Sequence, residues 1–230
     1  MIGRFVKTTL ADWKGRDCCR IEFRGYDVRY PYLGGSDIYD RKGPCIDPDE
    51  ILSYIRERGQ TLDGIVLGGG EPLAHEGLYG FLKELRRTKR PIMLETQGMR
   101  PDVLDDLAGA MMFDMVRLYV PAYPGSPNFQ KATGGFGDPA LMKRSMEIVN
   151  GLDVDREFFV YAVPGIVDGP EIENIARSVG EKTYLTISQF DPRLATDPEY
   201  RKIRPYSKTE GSALSASAKR YAKRTALKGF

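Results

Sequence analysis

DGIVLGGGEP, residues 63–72, is an apolar run that breaks abruptly into three glycines, a glutamate and a proline. The run itself, DGIVLG (63–68), is short and almost continuously apolar, the pattern of a strand covered on both faces. Five more runs of this kind follow the chain: CRIEFR (19–24), PIMLE (91–95), DMVRLY (114–119), EFFVYAV (157–163) and TYLTIS (183–188). Helical patterns fill the gaps near 48–59, 75–88, 101–110, 139–150 and 170–179. Asp47 and Asp138 precede Pro48 and Pro139, an N-cap followed by proline at the first helical position. SKTE (207–210) reads as a capping box opening a last helix. Strands alternating with helices require parallel pairing through right-handed crossovers. The expected fold is therefore α/β, a six-stranded parallel partial (β/α) barrel, with a doubly wound sheet as the alternative. One domain over residues 1–230 is expected, ending in a basic tail from 201 to 230.

Composition narrows the chemistry. The 230 residues are 41% hydrophobic and 29% charged, with a formal net charge of +2. No apolar run approaches membrane-spanning length and the first residues lack a signal-peptide core, so a cytoplasmic protein is expected. A single histidine, His75, disfavours His-based zinc sites and Ser-His-Asp triads. Cys18, Cys19 and Cys45 are too few for a disulfide framework. The basic tail can meet phosphates or an acidic partner. A solvated helix face is favoured over nucleic acid there, because no aromatic stacking platform accompanies the charge.

In barrels of this kind the loops after the strand ends carry function. Gly68–Gly70 let the backbone approach a ligand closely, and Glu71 can accept hydrogen bonds from an ammonium group. The same residues also make a tight turn ahead of a helix. The first loop, RGYDVRYPYLGG (24–35), has the build of a working loop, yet it holds no Cys, no His and no paired carboxylates.

These stretches occur in one order with LETQGMRPDVLDDL (94–107), YAVPGIVD (161–168), QFDP (189–192) and DPEYRKIRPYS (197–207). Together they resemble the radical SAM superfamily over nearly the whole chain, in particular the small activating enzymes of glycyl-radical proteins. The resemblance implies a six-stranded partial barrel, in agreement with the strands read above. The family's first loop carries Cys-x3-Cys-x2-Cys; Tyr26, Tyr30 and Leu33 stand at those positions here, beside a matching Tyr32. Leucine has no lone pair, and a tyrosine of ordinary pKa is about 0.1% phenolate at pH 7. The expectation is a degenerate cluster loop (Tyr26, Tyr30, Tyr32, Leu33), no iron–sulfur cluster and no metal.

Gly69, Gly70 and Glu71 match the family segment that contacts the amino group of S-adenosylmethionine (SAM). Glu95 and Thr96, in ETQG (95–98), match a polar patch near its ribose and sulfonium. Tyr119 stands where relatives carry an acid, and period-two alternation puts it on one face with Arg117, as it does Phe159 with Tyr161. Tyr123 extends the expected aromatic lining. The resemblance therefore implies SAM or a related adenosyl ligand; the missing thiolates turn the expected chemistry, if the protein is an enzyme, to non-radical group transfer, with no base named among Glu71, Glu95 and the tyrosines. The alternatives are a non-catalytic regulatory or scaffold relative with an aromatic-filled pocket, and a conventional activating enzyme. A protein partner is compatible with each.

Overall fold

The computed structural model describes residues 1–34, 38, 42–58 and 61–230. Among the described residues eight strands lie in one sheet whose spatial order is the chain order: β1 (Ile2–Thr9), β2 (Cys18–Phe23), β3 (Gly64–Gly69), β4 (Ile92–Thr96), β5 (Met115–Tyr119), β6 (Asp155–Ala162), β7 (Tyr184–Gln189) and β8 (Thr225–Lys228). The six strands expected from sequence are β2 to β7. Two were not read. β1 pairs antiparallel with β2, and β8 continues the sheet parallel to β7. The pairs β2–β3, β3–β4 and β6–β7 are parallel. The basic segment is thus built into the fold rather than trailing from it.

The helices are α1 (Pro48–Glu57), α2 (Leu78–Arg87), α3 (Pro101–Gly109), α4 (Pro127–Ala132), α5 (Pro139–Gly151), α6 (Gly169–Arg177), α7 (Pro198–Arg201) and α8 (Lys208–Lys219). Their starts follow from local chemistry. The Asp47 carboxylate accepts from the Asp49 N–H, and that of Asp138 from Ala140 and Leu141. Ser207 and Glu210 complete the capping box of α8. Each such cap stabilises its helix by about 1 kcal/mol. α1 buries Ile51, Leu52 and Ile55, one apolar stripe at helical spacing.

The chain forms two compact units, residues 1–27, 36–96 and 102–117 in the first and 28–35, 97–101 and 118–230 in the second. In the first, Trp13, Cys18, Val66 and Met93 form a buried cluster with Met115 packed against it. Among the described residues no helix is long and apolar enough to cross a membrane.

Candidate functional site

In the first unit the glycine turn is a main-chain structure. Gly69 has φ of +85°, a conformation that strains residues with side chains, and a Cβ on Gly70 would lie 2.1 Å from the Gly25 carbonyl oxygen. Gly70 N–H donates to Phe23 O and Glu71 N–H to Gly25 O. Glu71 is wholly buried. Its carboxylate accepts from the Leu73 N–H at 3.1 Å and from Thr96 Oγ1 at 3.0 and 3.1 Å, capping the 3-10 turn Pro72–Ala74. The geometry thus brings Glu71 and Thr96 together and commits both to the turn.

Glu95 and Arg117 also meet, in an ionic network that sequence reading did not foresee. Arg117 Nη1 donates to Glu95 Oε1 and Arg20 Nη2 to Glu95 Oε2, each at 2.8 Å. Arg20 also reaches Glu22 at 3.0 Å and Asp12 at 3.2 Å, while Arg117 Nη2 donates to the Asp12 carbonyl at 3.0 Å. The register explains the convergence. Glu22 lies opposite Gly68, and Leu67 opposite Leu94, so Gly68 sits between the side chains of Glu22 and Glu95. A Cβ there would lie 2.2 Å from Glu95 Oε2 and 3.1 Å from Arg20 Nη2. Burial pushes the Glu95 acid up, but the charges of Arg20 and Arg117 and their hydrogen bonds outweigh it and hold the pKa down at about 2. Such a carboxylate is a poor general base at neutral pH.

In the second unit the side-chain amide of Gln97 grips the main chain of the first loop. It accepts from the Val28 N–H at 3.1 Å and donates to the Val28 carbonyl at 2.6 Å. Beyond it the rings gather. Tyr119 and Tyr161 are parallel to within 2° at a centroid distance of 6.3 Å, and Phe159 meets both edge-on at 5.4 and 5.3 Å. Tyr32 lies 6.3 Å from Tyr161 and 6.1 Å from Tyr200, and stacks on Tyr30 at 5.6 Å. Tyr30 and Tyr32 are buried, while Tyr119 and Tyr161 keep partly exposed rings. Burial, with smaller contributions from the neighbouring tyrosines, drives the Tyr32 phenol well above its usual pKa. Lys228 Nζ approaches the Phe159 ring to 5.7 Å.

The remaining candidates stand apart. Tyr26 belongs to the first unit and is half-buried; Leu33, also half-buried, donates its N–H to Tyr30 O at 3.2 Å. Tyr123 leaves the ring group for a cleft of about 510 Å³ lined also by Pro139, Lys143, Met146, Glu147 and Ser178. Sequence reading missed Arg20, Glu22, Asp12 and Tyr200 as partners, since only the folded chain brings them to Glu95 and Tyr32.

The family model described as the radical SAM superfamily matches residues 29–179. The chain belongs to the radical SAM superfamily. A Methanocaldococcus jannaschii protein, provisionally named a glycyl-radical enzyme activating enzyme, is 26% identical over 227 residues, 96% of this chain and 92% of that one. A radical SAM methyltransferase from Sphaerobacter thermophilus has a TM-score of 0.69 at 15% identity, covering 94% of this chain and 67% of that chain. Streptococcus suis SuiB bound to its precursor peptide SuiA has a TM-score of 0.70 at 11% identity, covering 91% of this chain and 48% of SuiB. At such identities these structures speak for the fold, and they agree with a partial barrel.

Membership corrects the expectation of no iron–sulfur cluster. Radical SAM proteins use SAM and a [4Fe–4S] cluster, and the homologues point to a cluster-binding family. The expectation rested on Tyr26, Tyr30 and Leu33, and side chains in one loop speak only for that loop. The chain's own thiols do not converge on one centre either. Cys18 starts β2 beside Thr9, whereas Ile46, next to Cys45, donates to Ile2, which lies opposite Phe23 at the other end. Five residues of strand put these ends about 17 Å apart. Burial raises the Cys18 and Cys19 thiols to about 11 and about 12. Among the described residues no group of three or more His, Cys, Asp or Glu side chains is placed to hold a metal ion.

Proposed function

We propose that this radical SAM protein binds SAM or a related adenosyl ligand on the Tyr119–Phe159–Tyr161 rings and works on a protein or peptide partner. The ring group carries the reading. Tyr119 ends β5, and Phe159 and Tyr161 lie in the C-terminal half of β6, toward the edge where barrel loops act. Two of its rings remain partly exposed, and a planar adenine finds there an apolar, edge-and-face surface. When bound, the sulfonium of SAM supplies an activated carbon. The chain's part is to stack the base, exclude water with the buried Tyr30 and Tyr32, and keep Gln97 clamping the loop backbone. Glu71 and Glu95 serve the turn and the ionic network of the first unit, where both carboxylates are engaged by the fold. The names of the Methanocaldococcus relative and the SuiB complex support a polypeptide partner.

Calorimetry tests the reading, with SAM, S-adenosylhomocysteine and methionine titrated into wild type and Tyr161→Ala. The two adenosyl compounds should bind and methionine should not, with the variant about two- to tenfold weaker, as one aromatic contact is worth. No heat with either adenosyl compound at millimolar concentration would refute it. A second reading has its own observation: Tyr32 is buried with its hydroxyl unpartnered among the described residues, and its ring continues the stack toward Tyr200. That is the packing of a filled pocket in a scaffold or regulatory relative.

A further inference from the structure

At the opposite end of β7 from the ring group, the second unit presents a surface of different chemistry. Tyr184 opens β7, whereas Tyr161 lies opposite Ser188, four residues and about 13 Å along the strand. Residues 177–184 and 219–224 meet at this end, because Leu185 pairs with Thr225 and the Leu185 N–H donates to Arg224 O. The two segments carry Arg177, Lys182, Lys219, Arg220, Lys223 and Arg224 against the single acid Glu181. All six cations are exposed.

Two tyrosines stand among them. Tyr184 is 46% exposed and Tyr221 38%. The Arg224 guanidinium lies 5.1 Å from the Tyr184 ring centroid, and that of Arg177 lies 3.9 Å from the Tyr221 centroid. Arg220 is tied to Glu173 at 3.1 Å. Helix C-termini attract cations, which accounts for Arg177, Lys219 and Arg220 at the ends of α6 and α8. It does not account for Lys182, Lys223 and Arg224 outside the helices, nor for exposed rings beside them. Asp153 and Asp155, exposed ahead of and at the start of β6, bound the patch on that side.

We propose that this surface binds single-stranded nucleic acid, with the cations on the phosphates and Tyr184 and Tyr221 as stacking platforms. Charge alone would suit any polyanion. The rings decide the class, because exposed aromatic faces interleaved with cations match unstacked bases and offer little to an acidic protein. The tail's charge was visible in sequence, but Tyr184 joins it only through the β7–β8 pairing.

The test is fluorescence anisotropy of the full chain with a fluorescein-labelled 12-mer of oligothymidine. Saturable binding is expected at 50 mM salt, with log K falling against log salt at a slope of about −3 if four phosphates are engaged. Tyr184→Ala and Tyr221→Ala should each weaken binding by about fivefold or more. Lys182→Glu with Lys223→Glu should flatten the slope by about 1.4. Tyr184→Phe and Tyr221→Phe keep the rings and should keep the affinity, separating stacking from misfolding. Absence of saturable binding overturns the proposal. So does undiminished binding by the alanine variants together with equal competition from polyglutamate of matched charge, the behaviour of a docking face for an acidic protein.

Discussion

Replacing Gly68 by alanine is the sharpest test of the ionic network. The new Cβ would lie 2.2 Å from Glu95 Oε2 and 3.0 Å from Glu95 Cδ, well inside contact distance. A free side chain would swing away, but Glu95 is held by Arg20 and Arg117, both at 2.8 Å. Yielding means giving up at least one charge-assisted hydrogen bond at a buried carboxylate, worth about 1.5–3 kcal/mol, and up to about 5 kcal/mol if the pair breaks. Gly68 is not at positive φ, so alanine recovers about 0.4–1 kcal/mol by restricting the unfolded chain. With one such bond given up the net loss is about 0.5–2.5 kcal/mol, or about 1–10 °C in Tm for a chain of this size. Urea and thermal unfolding of wild type, Gly68→Ala, Glu95→Ala and the double variant measure it as a cycle. The alanine should cost little once Glu95 has been truncated. An equal cost in both backgrounds, or no cost in wild type, would refute the claim that Gly68 exists to let Glu95 and Arg20 meet.

Acid titration probes the same carboxylate. Its pKa is depressed to about 2 from 4.5, so its contribution of about 3 kcal/mol is fully present above pH 4.5 and is lost as pH falls toward 2. Urea midpoints measured across that window should fall less steeply for Glu95→Gln than for wild type. Thiol alkylation at pH 8 should label Cys45 alone in the folded protein and all three cysteines in denaturant, counted by intact mass. Exposure of Cys45 and burial of Cys18 and Cys19 set that order. Ser207→Ala removes the side-chain half of the α8 capping box and should cost about 1 kcal/mol, read as a Tm drop of about 2–4 °C.

What the sequence made legible was local. Asp47–Pro48, Asp138–Pro139 and Ser207–Glu210 announce helix starts because a cap is satisfied within three residues. β1 escaped notice because IGRFVKTT alternates poorly and gains its hydrogen bonds from a strand further along the chain. β8 is hidden in a run of cations, with three of its four residues exposed. The same limit governs the site. Glu95 and Arg117 read as ligand-binding groups while their partners were out of view: Arg20 is 75 residues from Glu95, and only the register over Gly68 unites them. The aromatic positions were legible because strand alternation places Phe159 and Tyr161 on one face. Tyr200, arriving from α7, was not.

The stitch between the turn after β3 and the chain leaving β2 bears on how this protein tolerates mutation. Gly70 and Glu71 hold the carbonyls of Phe23 and Gly25 through backbone N–H groups, and His75 Nε2 lies 2.9 Å from the Arg24 carbonyl. The direction in which the chain departs at Gly25 is therefore held by backbone hydrogen bonds from Gly70 and Glu71 together with the His75 ring. A methyl group at 70 would collide with the Gly25 carbonyl that this arrangement holds. The bare backbone at Gly70 and the exit of the chain at Gly25 are thus two sides of one arrangement of hydrogen bonds.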